Sequence, residues 1–293
     1  MFLRSQTAST GSSFSSHNAR PLSPSRRFLS IAALLSGFTL SVLAQGCGET
    51  LETDTVMRGI VNGTDDTQNR YPNVGAMVVY MNGQWTALCS GTLVSPTVFL
   101  TAAHCTGYVV QNNLLPAYVS FDPLSINGTT PFLPATVYHN PGYNSSMSDS
   151  QDVAAMVLAT PITNIQPAQL PTANLYDTTD LHSAEFVAVG YGGNYRTTGG
   201  GSGNYWNYDG TRRYASQSYR NIHDAWIYLS QNDSQGNGGT CYGDSGGPNF
   251  IGQGNVIAGI TVKGDSACRS TNDIYRMDIA NARNFLSQFM ALP

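Results

Sequence analysis

Ala76–Tyr80, Ala87–Val94, Ala154–Leu158, Ala184–Val189, Ala225–Leu229, Val256–Val262 and Ile274–Met277 are all short apolar runs, set between Gly, Pro, Asn, Asp and Ser residues. Runs this brief do not make core helices, and turn residues between them argue for many short strands. A chain of this kind closes into a sandwich or barrel, so the predicted fold class is all-β. Gly and Pro number 30 and 14 of 293 residues, and 11% are charged, which fits one large β-rich domain or two small ones. Two stretches differ. Asn194 to Asn207 is rich in Gly, Tyr and Asn without apolar periodicity and reads as a long surface loop. From Asp278 to Met290, Ile279, Ala282, Phe285, Leu286 and Phe289 recur at helical spacing, predicting a C-terminal helix.

Thr240-Cys241-Tyr242-Gly243-Asp244-Ser245-Gly246-Gly247-Pro248 suits neither a helix nor a strand interior. Its glycines allow a tight, irregular loop that exposes the Ser245 hydroxyl and aims backbone N–H groups at one point. A nucleophile beside an oxyanion site needs both features, although a plain Gly-rich turn has the same composition. Far upstream, Phe99-Leu100-Thr101-Ala102-Ala103-His104-Cys105 is an apolar run ending in a His beside a Cys. Taken alone, such a His is more often structural. Ser150-Gln151-Asp152-Val153-Ala154 opens an apolar run on an Asp. That Asp is either a surface cap or a buried carboxylate that needs a partner. His104, Asp152 and Ser245 together fit an activated serine: His104 takes the hydroxyl proton and Asp152 orients the imidazole.

T-A-A-H-C at 101–105, D-V-A at 152–154 and G-D-S-G-G-P at 243–248 resemble the trypsin/chymotrypsin family of serine proteases. Ile60-Val61-Asn62-Gly63 resembles the mature N-terminus of that family. The resemblance covers the chain from Ile60 to its C-terminus. It implies two antiparallel β-barrels with the active site in the cleft between them; the C-terminal helix is read as packing on the second. His104 and Asp152 would come from the first barrel and Ser245 from the second, with a crossover near 166–175. The oxyanion hole would be the N–H groups of Gly243 and Ser245. Domain organisation follows as 1–47 export signal, 48–59 propeptide or tether, and 60–293 protease domain.

The five cysteines are Cys47, Cys89, Cys105, Cys241 and Cys268. Sequence alone leaves three pairings of the last four open. The resemblance implies Cys89–Cys105 and Cys241–Cys268, each closing a short loop and worth about 3 kcal/mol in the chain-entropy model. Zinc ligation is the alternative, but C-x2-C spacing is lacking. No metal or other cofactor is expected.

Residues 1–27 carry Arg4, Arg20, Arg26 and Arg27 without an acid, and Phe28 to Ala44 is apolar apart from small or hydroxyl residues. This reads as an export signal with a long basic region. Ser25-Arg26-Arg27-Phe28-Leu29 is a loose twin-arginine pattern. Leu43-Ala44-Gln45-Gly46-Cys47 resembles a lipoprotein cleavage site, with Gln45 an awkward residue there. Lipidation of Cys47 would anchor the chain to a membrane, whereas ordinary cleavage would release it outside the cytoplasm. In the family, cleavage frees an Ile whose ammonium pairs with the Asp before the catalytic Ser, here Ile60 and Asp244. Gly59 stands between Arg58 and Ile60, so a cut after Arg58 leaves one residue too many.

The resemblance also places the substrate pocket. Gly239 stands where trypsin-like enzymes hold an Asp, followed by Thr240, and Asp273 falls on the opposite wall. That carboxylate would meet a substrate cation, or else point away or be neutralised by Arg276. Val262-Lys263-Gly264 replaces the usual Ser-Trp-Gly. Val262 has no hydroxyl to support Asp152, and Gly264 leaves the backbone free to pair with an extended substrate. From Ile60 onward there are nine basic and fifteen acidic residues, a net of −6, so no nucleic-acid partner is expected. The reading is an exported, monomeric serine endopeptidase acting on proteins or peptides after activation by another protease. The alternatives are a non-catalytic binding protein on the same scaffold and an esterase using the same residues. Gly243 to Gly247 fits G-x-S-x-G, but an α/β-hydrolase would carry its acid and His after the Ser.

Overall fold

The computed structural model describes residues 60–193, 196–198, 204–206 and 208–293. The export signal, Cys47 and the 48–59 segment lie outside the described residues. In chain order the strands are β1 (Thr64–Asp65), β2 (Val74–Met81), β3 (Gln84–Ser95), β4 (Val98–Thr101), β5 (Ala117–Ser120), β6 (Leu133–Tyr138), β7 (Ala154–Leu158) and β8 (Glu185–Gly190). They continue as β9 (Arg196–Thr198), β10 (Asn204–Trp206), β11 (Arg213–Ile222), β12 (Trp226–Ser230), β13 (Pro248–Ile251), β14 (Ile257–Gly264) and β15 (Thr271–Arg276). The α-helices are α1 (Ala103–Gln111), α2 (Leu175–Thr178) and α3 (Ala280–Leu286).

The strands make two closed antiparallel barrels. The first runs β2-β3-β4-β7-β6-β5, and β5 pairs back onto β2. Its strands bury apolar side chains on both faces: Met77, Leu93, Phe99, Leu100 and Met156 are all fully buried. Phe99 pairs across the sheet with Met156, and its ring packs against Gly91, where a Cβ would come within 2.4 Å of it. The second barrel runs β8-β11-β12-β15-β14-β13, closed by the β13–β8 pairing, and β1 extends it beside β11. Its interior is partly polar. Asn272 Nδ2 donates to Gln217 Oε1 and to Asn249 Oδ1, each at 2.9 Å, and Asn249 Nδ2 donates to Thr261 Oγ1 at 3.0 Å.

Two expectations change. Within the stretch read as a loop, β9 pairs with β10, Thr197 opposite Tyr205. Thr, Tyr and Trp favour strands even without an apolar alternation to reveal them. The C-terminal helix forms, but it lies against β7 of the first barrel, with the Phe289 ring 5.0 Å from Tyr138 on β6. Periodicity shows which side of a helix is apolar and leaves its partner open. Arg283 Nη1 also donates to the Pro171 carbonyl in the connection between barrels, at 2.7 Å, so the helix ties these parts together.

Candidate active site

The loop after Thr240 is built on glycines. Gly243 and Gly246 have φ of +97° and +80°, a region that side chains with a Cβ avoid. Gly246 also presses on the first barrel, where a Cβ would come within 2.3 Å of Thr101 Oγ1. Ser90 N donates to the Ser245 carbonyl at 2.9 Å, and Ser90 Oγ to the Gly243 carbonyl at 3.0 Å. The amides of Asp244, Gly246 and Gly247 donate to Cys241, Thr261 and Asp244 carbonyls respectively. Among the described residues, the Gly243 and Ser245 amides find no intramolecular acceptor.

His104 lies in the first turn of α1, directly after β4, and Cys105 beside it is bonded to Cys89 on β3. Asp152 stands two residues before β7, a neighbour of β4 in the barrel. That pairing brings the two side chains together. The Asp152 carboxylate accepts from His104 Nδ1 at 2.8 Å and from the His104 backbone N–H at 2.9 Å. The His104 side chain is 30% exposed and that of Asp152 only 3%, so the imidazole faces the cleft over a buried carboxylate. With Nδ1 donating to Asp152, Nε2 is left as the ring's acceptor.

His104 and Ser245 line one cavity of about 320 Å³, together with Thr240, Val262, Gly264 and Asp265. Cys241 and Cys268, bonded to each other, form part of the same wall. Gly239 and Asp273 do not line it. Gly239 pairs with Val61 and sits against fully buried Gln231, whose Oε1 would lie 2.0 Å from a Cβ at that position. Asp273 stands on β15 opposite Tyr228 and Lys263. Burial raises its carboxyl above the usual range, with Lys263 and Arg220 partly offsetting this. Arg276 pairs instead with Asp177 at 2.6 Å and Asp278 at 2.7 Å.

Sequence reasoning missed Asp265 and Gln231. Asp265 accepts the backbone N–H groups of Arg269, Ser270 and Thr271, and these hold its carboxyl below the usual range despite the opposing effect of burial. No local pattern marks either residue: Asp265, just after β14, lines the cavity, while buried Gln231, just after β12, stands behind its wall, where its Oε1 accepts from Thr240 Oγ1 at 3.5 Å.

Asp244 is fully buried beneath the loop, its oxygens accepting the Gly192 and Cys241 amides at 2.8 Å each. Burial pushes its carboxyl up to about 7. Ile60 is also fully buried, and Val61 forms the bridge to Gly239.

A second cavity of about 200 Å³ adjoins His104 and Asp152 and is walled by Tyr143, Trp226, Val262 and Lys263, with Lys263 Nζ 4.3 Å over the Trp226 ring. Beyond Gly243 lies a third, of about 560 Å³, lined by Trp85, Ile126, Tyr191, Tyr208 and Tyr242 among others.

Among solved structures, HL collagenase superposes with a TM-score of 0.58 at 17% identity, covering 78% of this chain and 96% of its own. A mutant of human heparin binding protein superposes with a TM-score of 0.59 at 14% identity, covering 78% and 95%. Such identities speak for the fold alone. In sequence, the chain is 29% identical over 219 residues to fibrinolytic enzyme isozyme C of Lumbricus rubellus, covering 69% of this chain and 86% of that protein. It is 30% identical over 176 residues to glucanase inhibitor protein 4 of Phytophthora infestans, covering 55% of this chain and 61% of that one. The family model described as Trypsin matches residues 60–285, across both barrels and into α3. This chain therefore belongs to the family of trypsin-like serine proteases.

Proposed function

We propose that the chain is a serine endopeptidase, exported from the cytoplasm, that cleaves proteins or peptides through an acyl-enzyme. Ser245 Oγ attacks the scissile carbonyl and its proton passes to His104 Nε2, with Asp152 holding the imidazole and stabilising its protonated form. The proton then goes to the leaving amine, and water hydrolyses the acyl-enzyme by the same route. The unengaged amides of Gly243 and Ser245 receive the oxyanion, a donor pair whose loss typically lowers turnover by roughly 10²–10³ per donor. One observation carries this reading: His104 Nδ1 is 2.8 Å from a buried Asp152, and its imidazole lines the cavity that Ser245 also lines.

Within this reading Thr240 and Gly264 line the substrate pocket, Gly239 leaves room for buried Gln231 to back Thr240, and Asp273 acts at a distance. Residues 1–47 serve export, with or without lipidation of Cys47, and 48–59 are a propeptide or tether to residues 60–293. Cleavage by another protease frees an amine at Ile60 that pairs with Asp244, and the mature chain works as a monomer.

The test is Ser245→Ala on the chain with its N-terminus verified at Ile60, assayed on a mixed peptide library by mass spectrometry. Parent cuts that vanish in the variant are expected. Cuts that persist at the parent rate sink the proposal. A second reading, a binding protein on the same scaffold, is favoured by the likeness to a protein named as a glucanase inhibitor. The absence of Ser245-dependent cuts in the parent would select it.

A further inference from the structure

We propose that Tyr275 and Asp149 are positioning residues for Asp152, a clamp by which the second barrel fixes the acid carried by the first. The inference rests on the endopeptidase reading. Val262 lines the cavity beside Asp152 and His104 without a side-chain donor, so Asp152 takes no support from that position. Support comes instead through the segment leading into it. Fully buried Tyr275, on β15, donates its hydroxyl to Asp149 Oδ1 at 2.6 Å. Asn281 Nδ2, on α3, donates to Asp149 Oδ2 at 2.7 Å. Trp226 Nε1, at the start of β12, donates to the Ser148 carbonyl at 2.7 Å. Three elements that follow the crossover thus grip two consecutive residues.

The grip reaches Asp152 through Gln151. Gln151 has φ of +52°, a left-handed conformation that a residue with a side chain holds only when its surroundings impose it. Its N–H donates to Asp149 Oδ1 at 3.2 Å, and its carbonyl accepts from Asn140 Nδ2 at 3.1 Å and from the Val153 N–H at 2.8 Å. Asp149 Oδ1 therefore receives the Tyr275 hydroxyl and the Gln151 amide together, one atom joining the second barrel to the residue before Asp152. Burial and the adjacent Asp149 carboxylate hold the Tyr275 phenol far above its usual range, so it stays a donor wherever the enzyme works. The titratable or charged groups around Asp152 are His104 on α1, Tyr143 and Asp149 on its own loop, Tyr275 on β15 and Lys263 on β14.

A loosened Asp152 would still meet substrate through the same pocket but would hold the imidazole less well. Misplacement of this kind lowers turnover without weakening binding. The test measures kcat and KM across pH on a quenched peptide taken from a site the parent cuts in casein. Tyr275→Phe should lower kcat roughly tenfold with KM within about twofold. The acidic limb of its kcat profile should move to lower pH, because a less firmly held carboxylate stabilises the imidazolium less. Asp149→Ala should reproduce this, while Asp149→Asn, which keeps Oδ1 for both donors, should restore kcat to within about threefold of the parent. Parent-like kcat and pH profile in a folded Tyr275→Phe overturn the clamp and leave the endopeptidase reading intact. Should the parent show no Ser245-dependent cleavage, the functional reading falls, and NMR titration of the His104 imidazole decides the clamp. A shift to lower pH in Tyr275→Phe supports it, and identical titrations overturn it.

Discussion

The two barrels close in the same way and are filled differently. The buried polar residues on the strands of the first are the hydroxyls Ser90, Thr92, Thr101 and Ser120, set among aliphatic and aromatic side chains. The second buries three carboxamides, Gln217, Asn249 and Asn272, whose side chains meet across its interior. An apolar interior tolerates any side chain of fitting volume, whereas a hydrogen-bonded one requires particular atoms at particular places. The demanding interior lies under the Ser245 loop. Thr261 accepts from Asn249 through its side chain, and its backbone pairs with Gly246 and Gly247. Volume shapes the barrel that carries His104 and Asp152, and bond direction shapes the one that carries Ser245.

The largest effect should come from emptying the first interior. Phe99→Ala removes a fully buried ring and should destabilise the fold by about 3–5 kcal/mol in denaturant unfolding. Next, Asn272→Leu preserves volume in the second but leaves Gln217 Oε1 and Asn249 Oδ1 without their donor, costing about 1–3 kcal/mol per acceptor. Adding Gln217→Leu and Asn249→Leu to it should recover most of that loss. A triple variant less stable than the single one would refute the contrast. Third, the uncleaved chain should become less stable as pH rises through about 7, the value to which burial raises Asp244. The sign follows from a folded-state value above the unfolded one: the stability it contributes is complete below the ordinary carboxyl range and is lost on passing the raised value. Asp244→Asn should flatten that slope in thermal melts of the uncleaved chain across pH. Smallest of all, Met156→Leu keeps volume in the first interior and should cost under about 1.5 kcal/mol by the same unfolding measurement.

How far the sequence was legible divides along the same line. Short apolar runs mark strands in both barrels, and loop motifs mark Ser245, His104 and Asp152, because each of those chemistries is local. The carboxamide interior is not local. Asn249 and Asn272 read as turn punctuation until β13 and β15 place them face to face. Asp273 reads as a pocket wall by alignment, yet it lies off the cavity although its strand partner Lys263 lines it. Asp265 comes to the pocket from the loop after β14, and Gln231 backs its wall from the loop after β12. The partner of α3 lies far away in sequence, on β7, where helical periodicity carries no information.

Lys263, which walls both cavities beside His104, is the only lysine of the chain. An amine-directed reagent can therefore reach no side chain except this one in the cleft, and the only other aliphatic amine is the N-terminus. Labelling stoichiometry, followed by mass spectrometry with and without an added peptide, reads whether that peptide occupies this cleft from one atom. It needs no engineered handle.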